Sequence, residues 1–240
     1  MYQLDERLPQ VYINDSQVSY RKKAMECPFE MKPRWERRKD ARPQELLAAA
    51  LDLFVERGYA STRLEDVARR AGVSKGTLYL YFTNKEELFK AVVRENIVPA
   101  LGEAEDIISA YEGHSADLMR CVVLGWWGRL GATKVSGIIK LVMAEAGNFP
   151  DLAGFYQEEV INRSTSMMVS MFERALQRKE FRPIDVNVMT HVLIAPILML
   201  ITWKHSVGPC TLNQHDPMVF LEAFLDMALH GLLPVPQVPP

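Results

Sequence analysis

Cysteine, charge of one sign and strand-like alternation are what this 240-residue chain has least of. Its three cysteines, Cys27, Cys121 and Cys210, are widely spaced and form no C-x-x-C. That usage argues against a disulfide framework and for a reducing compartment. Formal charge is nearly balanced at −2, so composition alone does not point to nucleic acid. Catalytic signatures are missing as well. His114, His191, His205, His215 and His230 make no H-E-x-x-H, and no G-x-S-x-G or paired-carboxylate motif occurs. His205, Cys210 and His215 stand on a loop at unusual spacing for metal ligands, so no metal is expected. Gly125, Gly128 and Gly131 follow no strand and lack a G-K-[ST] ending, which fits close helix packing rather than a nucleotide loop. An enzyme is not expected, nor a cofactor.

Leader and membrane signals are also thin. Met1–Gln10 carries Asp5 and Glu6 and has no apolar h-region, which excludes a signal peptide of the usual kind. One run, Val186–Trp203, holds 18 residues without charge, the lower end of a spanning length. It contains Asn187, His191 and Pro196 and stands alone, so it reads as a buried or interface helix. The expectation is a soluble cytoplasmic protein without a membrane partner. No repeat or low-complexity segment is found, and 48% apolar residues suffice for one or two buried cores.

What is there is concentrated. Residues 31–90 carry 13 Lys/Arg against 9 Asp/Glu, whereas residues 91–240 carry 11 against 16. A basic N-terminal part on a mildly acidic remainder suits a phosphate-binding head on a body that does not touch DNA, or plain surface charge. The stretch Ser61–Leu88 decides for the first. Thr62, with Glu65 three residues on, has the form of a capping box, and Leu64, Val67, Ala68 and Ala71 give an apolar face. Gly72 supplies a turn, where a positive φ carries no Cβ penalty. Ser74 is placed to cap a short helix Lys75–Tyr81, and Asn84 opens the next helix with Glu87 at the reciprocal position. Helix, tight turn, helix is the layout whose second helix enters the DNA major groove.

The run GYASTRLEDVARRAGVSKGTLYLYFTNKEELFKAVV resembles the DNA-binding domain of the TetR family of bacterial transcriptional regulators, over Glu45 to Val93. Its most specific part is AGVSKGTLY-x-YF-x-NKEEL. Farther on, IIKLVMAEAGNFPDLAGFYQEEV weakly resembles the regulatory domains of the AefR-like branch. The resemblance implies an all-α fold, with an N-terminal three-helix helix-turn-helix domain and a C-terminal helical ligand-binding and dimerisation domain. It places Thr62, Arg63, Ser74, Lys75, Gly76, Thr77, Tyr79, Tyr81 and Lys85 at DNA-contacting positions. The chemistry agrees. Gly76 lets backbone approach the groove floor, and Thr77 offers a hydroxyl and a methyl to a base edge. Lys75 adds charge that reaches a guanine or a phosphate, and Lys85 joins a helix N-terminus in clamping a phosphate. Tyr79 and Tyr81 either touch DNA or pack, while Leu78 and Phe82 face inward.

Along the chain, residues 1–40 read as a leader and basic arm, with Met31 a plausible alternative start. Within it Lys32, Arg34, Arg37, Arg38 and Lys39, together with Arg42, form a solvated tail or an arm along the phosphates, with Trp35 as an anchor for either. The head occupies 41–90, a helical body 91–231 and a proline-rich tail 232–240. Gly58 stops the first helix, and Pro99 interrupts the fourth. Helices are expected over Ala100–Tyr111, Ser115–Leu130, Lys134–Ala146, Asp151–Arg178, Asp185–Trp203 and Pro217–Gly231. Dimerisation in a four-helix bundle, which the resemblance implies, falls on the second half of Asp151–Arg178 and on Val186–Trp203; the alternative is that these are internal core. Trp126, Trp127, Met143, Phe149, Phe155, Tyr156 and Trp203 either line a ligand pocket or form core. The resulting expectation is a homodimeric repressor, released from a palindromic double-stranded operator by a small apolar or amphipathic effector. An activator with the same fold, or a sequence-independent architectural protein, is the alternative.

Overall fold

The structure, a computed structural model, describes residues 41–208 and 216–234, without the side chains of residues 41 and 42. The expected leader and basic arm, Cys27, the loop bearing Cys210 and His215, and the tail beyond 234 lie outside the described residues. Every regular element among those described is a helix.

The head is α1 (Ala41–Ser61), α2 (Leu64–Arg70), α3 (Lys75–Tyr81) and α4 (Lys85–Asn96). Its core is aromatic. Phe54, Tyr59 and Phe89 meet with ring centroids 5.4–5.7 Å apart, surrounded by Leu46, Leu53, Val67, Leu78, Leu88 and Val92. Phe54 and Phe89 are fully buried, and truncating either to alanine would cost about 3–5 kcal/mol. Gly72 adopts the expected positive φ of 69° between α2 and α3.

The body follows as α5 (Val98–Ala110), α6 (Ser115–Trp126), α7 (Ser136–Glu145), α8 (Pro150–Tyr156), α9 (Asn162–Gln177), α10 (Val186–His205) and α11 (Pro217–Leu232). Pro99 starts α5 from its first turn, where a missing N–H costs nothing, and thereby separates it from α4. Two π-helical segments depart from the expected α-helices. Trp127–Gly131 prolongs α6, and Gln157–Ile161 joins α8 to α9 without a break in the rod. The first has a visible cause. A Cβ on Gly131 would lie 2.3 Å from the Trp127 ring, so the wider turn folds that indole over the glycine. Arg174 and Arg178 on and just after α9 donate to the carbonyls of residues 111–113 and so close the end of α5.

Two apolar clusters hold the chain together. One runs unbroken from the head into α5, α7 and α8, through Ile97, Leu101, Ile138, Leu141, Leu152 and Tyr156. The other joins α6, α9, α10 and α11 around Leu118, Met171, Phe172, Leu193, Ile201 and Leu225. Helix α10 is long and apolar enough to cross a membrane by length and composition. It buries Thr190, Leu193, Ile197 and Ile201 but leaves Val188, Val192, Met199 and Trp203 exposed. Val219 and Met227 of α11 are exposed too.

The cysteine reading needs a correction. Cys121 on α6 is disulfide-bonded. Sequence spacing showed only that the cysteines are far apart along the chain, which says nothing about their distance after folding.

Candidate nucleic-acid interface

The second helix of the motif is built by its first residue. Ser74 stands in extended conformation at the N-cap of α3, and its Oγ accepts the Thr77 amide at 3.0 Å. The same oxygen shares a 2.8 Å hydrogen bond with Thr77 Oγ1. A seven-residue helix has little stability of its own, so such a cap, worth about 1 kcal/mol, matters there. Leu78 is the anchor. It is fully buried in the head core, with Phe82 packed beside it, as the sequence pattern requires.

With Leu78 turned in, the rest of α3 faces out. Ser74, Lys75 and Gly76 are exposed at its start, and Tyr79 and Tyr81 are 43% and 46% exposed. Both tyrosines therefore present much of their surface to solvent. Sequence reasoning missed Leu80, which is 83% exposed, the barest large apolar side chain in the head. The signal was available: it lies two residues past the inward Leu78, on the outer side of a helix whose other outward positions are polar.

Lys75 Nζ sits 2.6 Å from Glu65 on α2 and 5.7 Å from the Tyr79 ring centroid. The Glu65 partner raises the Lys75 pKa, and Lys75 in turn lowers that of Glu65. The pair bridges α2 and α3 on the open face, where a phosphate would compete with the carboxylate. Arg63 is exposed at the N-cap of α2 and makes no side-chain cap bond.

Two expected contacts are placed otherwise. Thr62 does not cap α2. It is only 2% exposed, and its Oγ1 reaches Gly58 O at 2.7 Å and Leu53 O at 3.2 Å. The N-cap is Arg63, and Thr62 is unable to offer its hydroxyl to a phosphate. Tertiary packing against α1 outweighs the local capping pattern. Lys85 heads α4 as expected, but its Nζ donates to Tyr59 O at 2.8 Å and Ala60 O at 3.1 Å, over the Tyr59 ring. Burial lowers its pKa, against the opposing pull of Glu145. Two of its three protons thus hold α1, and one remains for another acceptor.

The seven aromatic and methionine positions take different surroundings. Trp127 belongs to the second apolar cluster and Tyr156 to the first, where burial raises its pKa. Trp126 touches both clusters. Met143 is 55% exposed and Trp203 46%, which excludes them from an enclosed pocket within one chain. Phe149 meets Tyr59 edge-on at 4.8 Å, and Phe155 lies beneath Arg94 and Lys90 of α4. These last two aromatics join the body to the head. Helical spacing identified them as apolar without revealing their partners. Surface concavities lie elsewhere. One of about 380 Å³ is lined by Glu105, Asn162, Arg163, Ser166, Met167 and Ser170. Another of about 460 Å³ lies beside α3, between Tyr81, Phe82, Glu87 and Arg94.

A capped short helix presented outward on a buried leucine can now be set beside known proteins. A family profile described as "Bacterial regulatory proteins, tetR family" matches residues 46–92, which is α1 to α4. Residues 46–92 are therefore similar to the DNA-binding head of that family. The chain is 44% identical over 59 residues to the HTH-type transcriptional activator FasR of Mycolicibacterium smegmatis, a match spanning only 27% of that relative and 25% of this chain. The HTH-type transcriptional repressor KstR2 of the same organism is 24% identical over 176 residues, covering 72% of this chain and 84% of that one. Among solved structures, the regulator FadR from Bacillus subtilis in complex with stearoyl-CoA superposes with a TM-score of 0.67 at 19% identity, over 78% of this chain and 98% of that one. The fold of such structures, a helix-turn-helix head followed by a helical C-terminal domain, therefore extends through the body.

Proposed function

We propose that this chain is a TetR-family DNA-binding transcriptional regulator, acting in the cytoplasm as a homodimeric repressor that a small apolar or amphipathic ligand releases from a palindromic operator. The exposed face of α3 carries the reading. Lys75, Gly76, Thr77, Tyr79, Leu80 and Tyr81 project from a helix whose depth is fixed by Leu78. Such a face suits direct readout, with Thr77 and Leu80 offering methyl groups to thymine and Lys75 a donor to guanine or phosphate. Arg63 and the remaining Lys85 proton are suited to phosphates, which position the head without specifying sequence.

One short helix spans few base pairs, and a twofold pair reading two half-sites is the usual remedy. The uncovered apolar face of α10 and α11 supports that pairing, since an exposed patch of this kind needs a partner surface. In that pairing Trp203, on the same uncovered face, lies at the protomer boundary. The segments proposed for the work are the head, 41–90, and the body, 91–231.

Repression is favoured by the longer alignment, which is with a relative named a repressor. FasR, named an activator, aligns over 59 residues only. An apolar or amphipathic effector is supported by the stearoyl-CoA in the FadR structure. The test is selection of duplexes from a randomised pool, followed by titration of the enriched complex with stearoyl-CoA as probe. Enrichment of an inverted repeat and its release by the probe support the proposal. Uniform binding to all duplexes at one salt concentration favours an architectural role.

A further inference from the structure

The turn at the end of α1 is gripped from two sides. Gly58 breaks the helix with φ 84° and ψ 170°, which leaves the amides of Tyr59 and Ala60 without partners inside α1. The last residue of α7 fills that gap. Glu145 Oε1 accepts the Tyr59 amide at 2.7 Å, and Oε2 accepts the Ala60 amide at 3.1 Å. On the opposite side Lys85 Nζ holds the carbonyls of the same two residues. Between them the Tyr59 ring packs on Phe149, four residues after Glu145. The positive φ is what calls for glycine at position 58. An L side chain there would be strained by the backbone, and its Cβ would lie 2.8 Å from Glu145 Oε1.

From these contacts we infer that Glu145 is a positioning residue for DNA recognition, a carboxylate of the body that fixes the orientation of the reading head. Besides the shared apolar cluster, polar and close contacts between body and head among the described residues include the Lys134–Asp52 ion pair, Val55 against Gly137, and Phe155 with Glu159 against Arg94. The ion pairs among them are between exposed or half-exposed side chains, where solvent screens the attraction. Glu145 alone among these side chains binds head backbone, through a two-point bond whose donors have no helical partner. Charged acceptors of that kind form the stronger hydrogen bonds. Tyr59 is in turn rigidly joined to the α2–α3 unit, because Phe54 and Phe89 flank its ring and Thr62 ties the following turn to Leu53. Loosening Glu145 spreads the head over several orientations, and apparent affinity falls with the fraction that fits two half-sites at once. This inference rests on the reading of the chain as a two-headed operator binder.

The experiment compares full-length wild type with Glu145→Ala and Glu145→Gln, using Glu158→Ala as a charge control, since Glu158 is an exposed carboxylate nearby on the body. Hydrogen exchange at Tyr59 and Ala60 reads the contact without DNA. Binding to the duplex that wild type selects, divided by binding to a random duplex at the same salt, reads head orientation. Expected for Glu145→Ala are faster exchange at both amides and a drop of about tenfold in that ratio. Glu145→Gln, which keeps one acceptor oxygen, falls between, and Glu158→Ala matches wild type. The Glu145 side chain is half-exposed, so its removal leaves the core intact and the thermal midpoint close to wild type. Unchanged exchange in Glu145→Ala overturns the contact. Faster exchange with an unchanged or raised ratio overturns the positioning role. A wild type that selects no duplex overturns the operator-binder reading instead.

Discussion

Replacing Thr62 by valine separates a structural role from a DNA contact at the one position where sequence pattern and structure disagree most. The side chain is 2% exposed, and valine nearly matches its shape, so packing changes little. What changes is the hydroxyl. Its bond to Gly58 O at 2.7 Å, beside the helix break, disappears. Leu53 O, also within reach at 3.2 Å, lies in mid-helix and retains an amide partner. One part-buried acceptor therefore loses its side-chain donor, at a cost of about 1 kcal/mol. For a chain of this size that corresponds to a fall in thermal midpoint of about 2–4 °C per kcal/mol. Denaturant titration and thermal melting give the magnitude, and DNA affinity is then measured well below both midpoints. Affinity should equal that of wild type, because the hydroxyl faces α1. Thr62→Ser, which keeps the bond, should recover most of the lost stability. A stable Thr62→Val that binds DNA weakly, with Thr62→Ser restoring affinity, would make Thr62 a DNA contact and refute the reasoning.

Other expectations follow from particular side chains. Leu80→Ala should leave stability within about 0.5 kcal/mol, because the side chain is 83% exposed, yet weaken binding to the selected duplex; parallel melting and binding curves check both. Thr77→Ala should shift base preference in a repeated selection, since its hydroxyl and methyl lie at the start of the reading helix. Introducing lysine at Val192 or Met227, each at least half exposed on the apolar face of α10 and α11, should halve the sedimenting mass while leaving helical content unchanged. His205 shares a 2.8 Å hydrogen bond with fully buried Ser136 Oγ, and its pKa is lowered by burial first, then by Lys204 and Lys140. A folded pKa below the unfolded one means that the unfolded chain binds the proton more readily. Stability from this site is thus present above the ordinary histidine pKa of 6.5 and lost as pH falls below it. Melting curves at stepped pH should show that loss in wild type and a smaller one in His205→Gln.

Local rules were readable wherever local physics decides. Ser74 and Asn84 cap α3 and α4 through the Thr77 and Glu87 amides, Gly72 turns with positive φ, and Leu78 points inward. Helix bounds in the body lie within a few residues of the expected ones, because Pro99, Gly113 and Pro183 interrupt the pattern where it stops. Legibility ended where a residue's role depends on something distant in sequence. Thr62 has the spacing of a capping box and is claimed instead by carbonyls of α1. Phe149 and Phe155 sit at apolar helical positions, and only the fold shows that they face the head. The π-helical segments carry no spacing signature, since they arise from packing such as Trp127 over Gly131. Glu145 was invisible in the same way. One carboxylate in a helical pattern predicts a solvated side chain, and its partners lie 85 and 86 residues away.

Equilibrium binding to a selected duplex, with the stoichiometry of the complex read by sedimentation, tests the central claim most directly. The account predicts an inverted repeat bound by two chains. Inverting one half-site should return affinity to that for random DNA at the same salt, and so should Leu78→Asp, which places a charge in the fully buried slot beneath the reading helix. Equal affinity for selected, half-inverted and random duplexes, or a single chain per selected duplex, would contradict it.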